Sequence, residues 1–242
     1  MYASAKNWNT IGIGMKPICI AENEWLIVIN KPVGLITHSD GRTVEPSLAD
    51  WVGENYPALR GVGGAWVSPQ GESIVLNGLV HRLDRTTSGV ILAAKNDAAF
   101  AYLKNEFKER RVAKEYLVRV SGSMEAAAGT VVAEIMRTST PPKQWYARVC
   151  EASDKRAAVT EWEVVRREGE YTLLKLIPKT GRTHQIRVHL ASIGHPIVGD
   201  ALYGGDTSRR SSPALHAAKI SLTLPDSSQA VYEAPLPGDF SY

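Results

Sequence analysis

Residues 157–178 read AAVTEWEVVRREGEYTLLKLIP. Two runs, 157–168 and 171–178, place β-branched and aromatic residues in the pattern of strands, with Gly169-Glu170 between them as a loop or hairpin. The same pattern recurs upstream in TVVAEIMRT (130–138), QWYARVC (144–150) and the alternating KEYLVRVSG (114–122). EWLIVINKP (24–32) reads as a buried strand stopped by Pro32, GVILAAKN (89–96) as another strand, and ALHAAKISLTLP (214–225) as a late one. Helical patterns are few. SLADWVGENY (47–56) has Ser47 as a cap. AAFAYLKNEFKERR (98–111) follows Asn96 or Asp97 as cap and sets Phe100, Leu103 and Phe107 on one face. THQIRVHLASIG (183–194) has Thr183 as cap, Ile186, Leu190 and Ile193 as its apolar face, and Gly194 before His195-Pro196 as its stop. Many strands, few helices and no regular βαβ alternation predict an α+β fold, a largely antiparallel mixed sheet flanked by helices and loops. Residues 57–76, with Gly61, Gly63, Gly64 and Gly71, are predicted to be a loop.

The 242 residues, 44% hydrophobic and 22% charged, suit one large or two small globular domains. The sequence shows no convincing internal boundary. Residues 1–16 read as an N-terminal extension, expected to be disordered and with Met15 as an alternative start, and 17–242 as the working domain. Two cysteines, Cys19 and Cys150, make neither a disulfide framework nor a CxxC site, so a reducing cytoplasm is expected. No signal peptide and no membrane span are expected.

The net charge of +3 is unevenly spread. Residues 81–120 hold nine Lys/Arg against five Asp/Glu, and residues 171–220 hold seven against two. If these segments meet, they form a face suited to a polyanion; the competing reading is ordinary solvated lysines and arginines. Familiar catalytic patterns are absent. The glycines of 57–76 do not spell GxGxxG and have no strand–helix frame. His184 and His189 are five apart, without a third ligand near them. Ser88 lies in TSG, not in GxSxG.

The stretch HRLDRTTSG (81–89) therefore stands out, with one acid, Asp84, between Arg82 and Arg85. An arbitrary Asp there would be a salt bridge or a loop cap. Asp84, however, sits in one basic segment, while GRTHQIR in the other places Arg182 and Arg187 around a predicted helix start. Close arginines would keep the carboxylate ionised, each lowering its pKa by roughly 1–3 units. An ionised Asp is a poor general acid and a weak base, but it remains competent as a nucleophile or as a stabiliser of positive charge. Such an acid on a positive surface points to attack on an electrophilic carbon of a polyanion.

HRLDRTTSG, KEYLVRV (114–120) and KTGRTHQIRVHLASIGHPIVGDALYGG (179–205) closely resemble the RluA-type pseudouridine synthase family, with WLIVINKPVGL (25–35), AAVTEWEVV (157–165) and LHAAKISLTLP (215–225) matching further strands. The resemblance spans about residues 17–237. It implies a pseudouridine-synthase-like catalytic domain that isomerises uridine in RNA to pseudouridine with no cofactor and no metal. By resemblance, Asp84 is the catalytic aspartate, Arg187 the arginine that pairs with it, and Tyr116 the tyrosine stacked on the target base. Arg82 helps extrude the uridine, and Arg85, Lys114, Arg182 and His184 are candidate phosphate or base contacts. Whether the aspartate attacks C1′, adds to C6 or removes a C2′ proton stays open. The glycosidic bond must leave the stack to react, so targets in hairpin loops or irregular stems are expected. Many relatives carry an S4-type RNA-binding module, for which the sixteen residues before the first core strand leave no room. RNA selection is then expected to come from 57–76 and RTSTPPKQWY (137–146). The expected partner is RNA, ribosomal favoured over transfer RNA, with no DNA, no membrane and a monomeric state. An RNA-binding or assembly factor on the same fold is the main alternative; a glycoside hydrolase would need a second acid near Asp84.

Overall fold

The computed structural model describes residues 16–39, 41, 45–68, 70–139, 144–151, 154 and 156–240. The predicted extension 1–16, Lys16 excepted, lies outside them, as do residues 140–143 of the 137–146 segment. The described chain forms two compact units. One comprises the residues up to Val112 together with Lys219–Pro237, and the other comprises Ala113–Ala218 and the chain from Gly238.

In the first unit, strands β1 (Ile18–Glu22), β2 (Leu26–Lys31) and β5 (Ser88–Ala94) lie side by side. β2 is antiparallel to both neighbours, with Leu26 opposite Ala94 and Lys31 opposite Gly89. β12 (Gln229–Glu233) runs antiparallel along the end of β11 (Leu215–Thr223). All seven residues of β5 are buried, which suits its unbroken apolar run. Helix α1 (Leu48–Asn55) starts as expected: the Ser47 hydroxyl accepts the Asp50 amide, and the Asp50 carboxylate accepts the Ser47 amide in return. Helix α2 (Asp97–Lys108) is capped by Asn96, whose Oδ1 accepts the Ala99 amide at 2.9 Å. Its Leu103 is fully buried, and Phe100 and Phe107 pack on the same core of Leu26, Val28, Leu92, Ile220 and Leu222.

The second unit carries five antiparallel strands in the order β6-β10-β9-β7-β8, with β6 beside β10 and β7 beside β9. Its strands are β6 (Ala113–Ser121), β7 (Ala128–Arg137), β8 (Trp145–Val149), β9 (Ala157–Glu168) and β10 (Tyr171–Pro178). β9 and β10 are the hairpin expected around Gly169, which adopts φ +65° in the turn. Leu174 and Leu176 point inward while Leu173, Lys175 and Ile177 are half-buried, so the alternation read in the sequence is the real face assignment. Helix α3 (Gln185–Ser192) contributes Ile186 and Leu190 to a core with Val118, Trp162, Leu174 and Leu176. The fold is α+β, as the strand patterns predict.

Two expectations are corrected. Residues 57–76 are not a plain loop: they hold a short 3-10 turn (Pro57–Leu59) and a hairpin of β3 (Ala65–Val67) and β4 (Ser73–Val75). All three β3 residues are exposed, so no buried-face alternation marks the strand. Helix α3 begins at Gln185 rather than Thr183, because His184 adopts the left-handed conformation, φ 54°. No side chain caps it from His184. Instead Gln185 folds back, its Oε1 accepting the Arg182 amide at 3.0 Å and the Thr180 hydroxyl at 2.7 Å. Ile193 is the C-cap and 37% exposed, so it lies outside the apolar face.

Candidate active site

The stretch 81–89 is a tight turn leading into β5. The Thr87 amide donates to the Asp84 carbonyl at 3.0 Å, which closes the turn on itself. Both main-chain groups of Leu83 are bound by one side chain: the Thr37 hydroxyl donates to the Leu83 carbonyl at 2.8 Å and accepts the Leu83 amide at 3.2 Å. The Arg85 carbonyl accepts the Gly34 amide at 2.8 Å, and the buried Lys31 Nζ lies 3.4 Å from it. At the far end, Gly89 takes φ +115°, which a side chain would resist, so the turn can enter β5 sharply. His81 anchors the start. Its Nε2 accepts the Leu92 amide at 3.0 Å, and its ring stacks on Phe107 at 4.5 Å. The result is a half-buried Asp84 in a turn whose main chain is fixed at several points.

The arginines of that turn differ. Arg82 is exposed. It is felt by His38, whose pKa is pushed down to about 4 by burial first and by the Arg82 and Lys104 charges next. Arg85 is engaged with Glu45 through both guanidinium arms at 2.5 Å. An exposed pair of this kind contributes about 1 kcal/mol or less.

In the second unit, Tyr116 lies on β6 opposite Leu176 of β10 and is half-buried against the core. Lys114, two residues earlier, is also half-buried, and Arg182 is exposed. Arg187 points from α3 into the protein, 6% exposed. It makes two parallel hydrogen bonds to Asp200, Nε to Oδ2 and Nη2 to Oδ1, both 2.7 Å. Its guanidinium also lies 4.9 Å from the ring of Tyr203, and the Tyr203 hydroxyl is 2.8 Å from His184 Nδ1. His184, Tyr203, Arg187 and Asp200 thus form one continuous network.

Asp200 and Tyr203 were not among the candidates read from the sequence. Their signal was present: Asp200 is the single acid in the basic stretch 179–205, the same oddity that singled out Asp84. Asp200 is held by a tight loop in which its amide donates to the Ile197 carbonyl and its carbonyl accepts the Gly205 amide at 2.8 Å. A Cβ on Gly205 would stand 1.8 Å from the Ile197 carbonyl oxygen. Gly205→Ala is therefore expected to cost about 3 kcal/mol by overpacking and to displace Asp200, read as a lower urea midpoint at unchanged slope.

His189, fully buried on α3, has Nδ1 2.9 Å from the Thr160 hydroxyl and no role at the surface. Burial lowers its pKa from 6.5 to about 4. The folded state then stays unprotonated where the unfolded chain already binds a proton, so stability is lost as pH falls from about 6.5 towards 4. His189→Gln is expected to flatten that loss, measured by urea unfolding at pH 7.5 and at about pH 4.5. Among the described residues, no group of three His, Cys, Asp or Glu could hold a metal, and no helix is long and apolar enough to cross a membrane.

The RNA pseudouridylate synthase family matches residues 25–192, a range that holds the Asp84 turn, Tyr116, His184 and Arg187. The chain belongs to that family. It is 37% identical over 228 residues to an uncharacterised RNA pseudouridine synthase of Synechocystis, covering 90% of this chain and 65% of that protein. It is 36% identical to the ribosomal large subunit pseudouridine synthase D of Nitrosomonas europaea, covering 91% and 62% respectively. With the dual-specificity RNA pseudouridine synthase RluA of Vibrio vulnificus it shares 35% identity over 86% of this chain and 78% of that one. The solved structure of human RNA pseudouridylate synthase domain containing 1 superposes with a TM-score of 0.71 at 25% identity, over 91% of this chain and 83% of that one. The chain spans about two thirds or less of the length of the Synechocystis and Nitrosomonas relatives.

Proposed function

We propose that this protein isomerises uridine to pseudouridine in structured RNA, with Asp84 as the catalytic carboxylate. The observation that carries the reading is the Asp84 turn itself, a half-buried acid on a turn fixed by Thr37, Lys31 and its own main chain, in a chain of the pseudouridylate synthase family. In the reaction the N1–C1′ bond breaks, the base turns, C5 bonds to C1′, the C5 hydrogen leaves as a proton and N1 takes one up. The residues supply what that sequence needs: a carboxylate at the sugar or base, Tyr116 as a stacking surface, and Arg187 as a cation held in place by Asp200. No redox change occurs and no cofactor enters the balance.

Flipping the uridine out costs a few kcal/mol, which the protein must offset with contacts to the surrounding strand. The exposed Arg82 and Arg182, together with Arg85, Lys114 and His184, are proposed to supply them. The β3–β4 hairpin, with Trp66 39% exposed, and the 137–146 segment are proposed to select among RNAs. Ribosomal RNA is the favoured substrate, supported by the name of the Nitrosomonas relative, and the enzyme is proposed to act as a monomer in the cytoplasm.

The test uses RNA transcribed with 5-tritiated uridine, because bonding C5 to C1′ expels the tritium. Release from a ribosomal pool, absent from a transfer RNA pool, is expected. Release from transfer RNA alone would overturn the substrate preference, and release from neither would overturn the proposed activity.

A further inference from the structure

The β3–β4 hairpin is fixed to the first unit at its base and at its tip. At the base the Gly63 amide donates to the Asp97 carboxylate at 2.8 Å, and a Cβ on Gly63 would stand 2.4 Å from the Phe100 ring. The loop before β3 therefore lies directly on the first turn of α2. The Leu76 amide donates to the Gly64 carbonyl at 3.1 Å, and the Gly78 amide to the Val62 carbonyl at 2.9 Å, which ties the two arms together. Asn77 is buried between them and α1: its Nδ2 donates to the Ala49 carbonyl at 2.7 Å, and its Oδ1 accepts the Gly61 amide at 3.1 Å. At the tip the Ser68 hydroxyl accepts the Glu72 amide at 3.1 Å, and a Cβ on Gly41 would stand 2.5 Å from it. Gly41 is four residues past Thr37, which binds both main-chain groups of Leu83. The hairpin is thus a braced arm whose tip rests on the chain that leads from the Asp84 turn.

The solvent side of this arm is apolar. Trp66, Val67 and Val75 are all exposed, and Trp66 pairs with the buried Ile74 on one face of the ribbon. Residues 61–76 carry a single charge, Glu72. Cations stand close by instead: the charges of Arg82 and Lys104, both exposed, reach His38, which lies beside the Leu76 main chain.

We propose that Trp66 is a stacking platform for an unpaired nucleobase of the RNA, one other than the uridine that reacts, with Arg82 and Lys104 beside it for the phosphates. This rests on the reading that the substrate is RNA and names the contact that the hairpin makes. Flipping one nucleotide out of a stack leaves its neighbours uncovered. An indole covers any base, because every base has a π face, and flanking cations track the backbone. The arm itself cannot bind phosphate, since its only charge is an acid. Three exposed side chains on two three-residue strands also fall well short of the roughly 800 Å² per partner that a stable protein interface covers. An unpaired base is of the size that fits.

The test titrates wild type and Trp66→Ala with an oligouridylate of about 12 nucleotides, within the span of common single-strand sites, and with the matching abasic ribose-phosphate strand. Binding is read by fluorescence anisotropy between about 50 and 200 mM salt. Trp66→Ala should weaken oligouridylate binding roughly 5- to 150-fold, the loss of one stacked base, at an unchanged salt slope and with unchanged affinity for the abasic strand. Trp66→Phe should recover most of the loss. Arg82→Ala should instead lower the salt slope by about one. A folded Trp66→Ala protein that binds oligouridylate as wild type does, or that loses as much on the abasic strand, would overturn the inference. So would wild type that holds oligouridylate no tighter than the abasic strand. If Trp66→Ala does not fold, Trp66→Leu, which keeps an apolar side chain opposite Ile74 without a π face, must show the same loss. Tritium release judges the reading of function separately. Release together with an unchanged Trp66→Ala affinity removes only the platform, and a base-dependent loss without release from any pool removes only the isomerase.

Discussion

Asp84→Asn is expected to abolish turnover, a loss on the order of 10⁴-fold or more in the single-turnover rate, as when other enzymes lose a residue that bonds or charge-pairs with the reacting centre. Fold and affinity should survive. The turn is held by Thr37 on Leu83, by Gly34 and Lys31 on Arg85, and by its own Asp84–Thr87 main-chain bond. An amide of the same shape leaves those bonds in place. The comparison is tritium release against circular dichroism, melting temperature and RNA binding on one preparation. Turnover retained by a folded Asp84→Asn protein would remove Asp84 from the chemistry.

Arg187→Ala is expected to be the most destabilising single change at the site. It strands the Asp200 carboxylate, 1% exposed, without its two 2.7 Å hydrogen bonds, and it takes the cation from the face of Tyr203. Leaving one member of a buried ion pair uncompensated costs about 3–5 kcal/mol. In a chain of this size that lowers the melting temperature by roughly 10 °C. Turnover should fall with it. The double variant Arg187→Met, Asp200→Leu separates the two effects: without a stranded charge it should recover much of the stability, yet remain inactive. A wild-type melting temperature for Arg187→Ala would show that the pair is not buried in solution.

What the sequence disclosed follows a physical line. Local devices were legible: the Ser47 and Asn96 caps, the Phe100, Leu103, Phe107 face and the β9–β10 alternation each depend on residues within one element. HRLDRTTSG was legible as a turn carrying an acid between cations. The β3–β4 hairpin was not, since its strands are three residues long, β3 buries none of them and β4 only Ile74, too little to write an alternation. The start of α3 was misread because a positive φ at His184 and the fold-back of Gln185 onto Arg182 and Thr180 leave no residue-type signature. The Arg187–Asp200 pair is a tertiary contact reached through the Ile197–Gly205 loop, and periodicity carries nothing about it. The strand ending at Pro32 was legible, but the burial of Lys31 within it shows only once the Pro32, Leu35 and Arg85 carbonyls surround its ammonium.

The first unit is completed late. Its core draws on Ile220, Leu222, Leu224 and Ala234 as well as on residues before Val112. During synthesis, the segment bearing Asp84 emerges from the ribosome with part of its interior still untranslated. It must wait for the whole second unit, more than a hundred residues, before β11 and β12 arrive. Nascent chains stalled shortly after Val112 should therefore be protease-sensitive around residues 79–94, and protection there should appear only once the C-terminal strands have cleared the exit tunnel. The order of translation is expected to make the Asp84 turn one of the last parts of the molecule to become native.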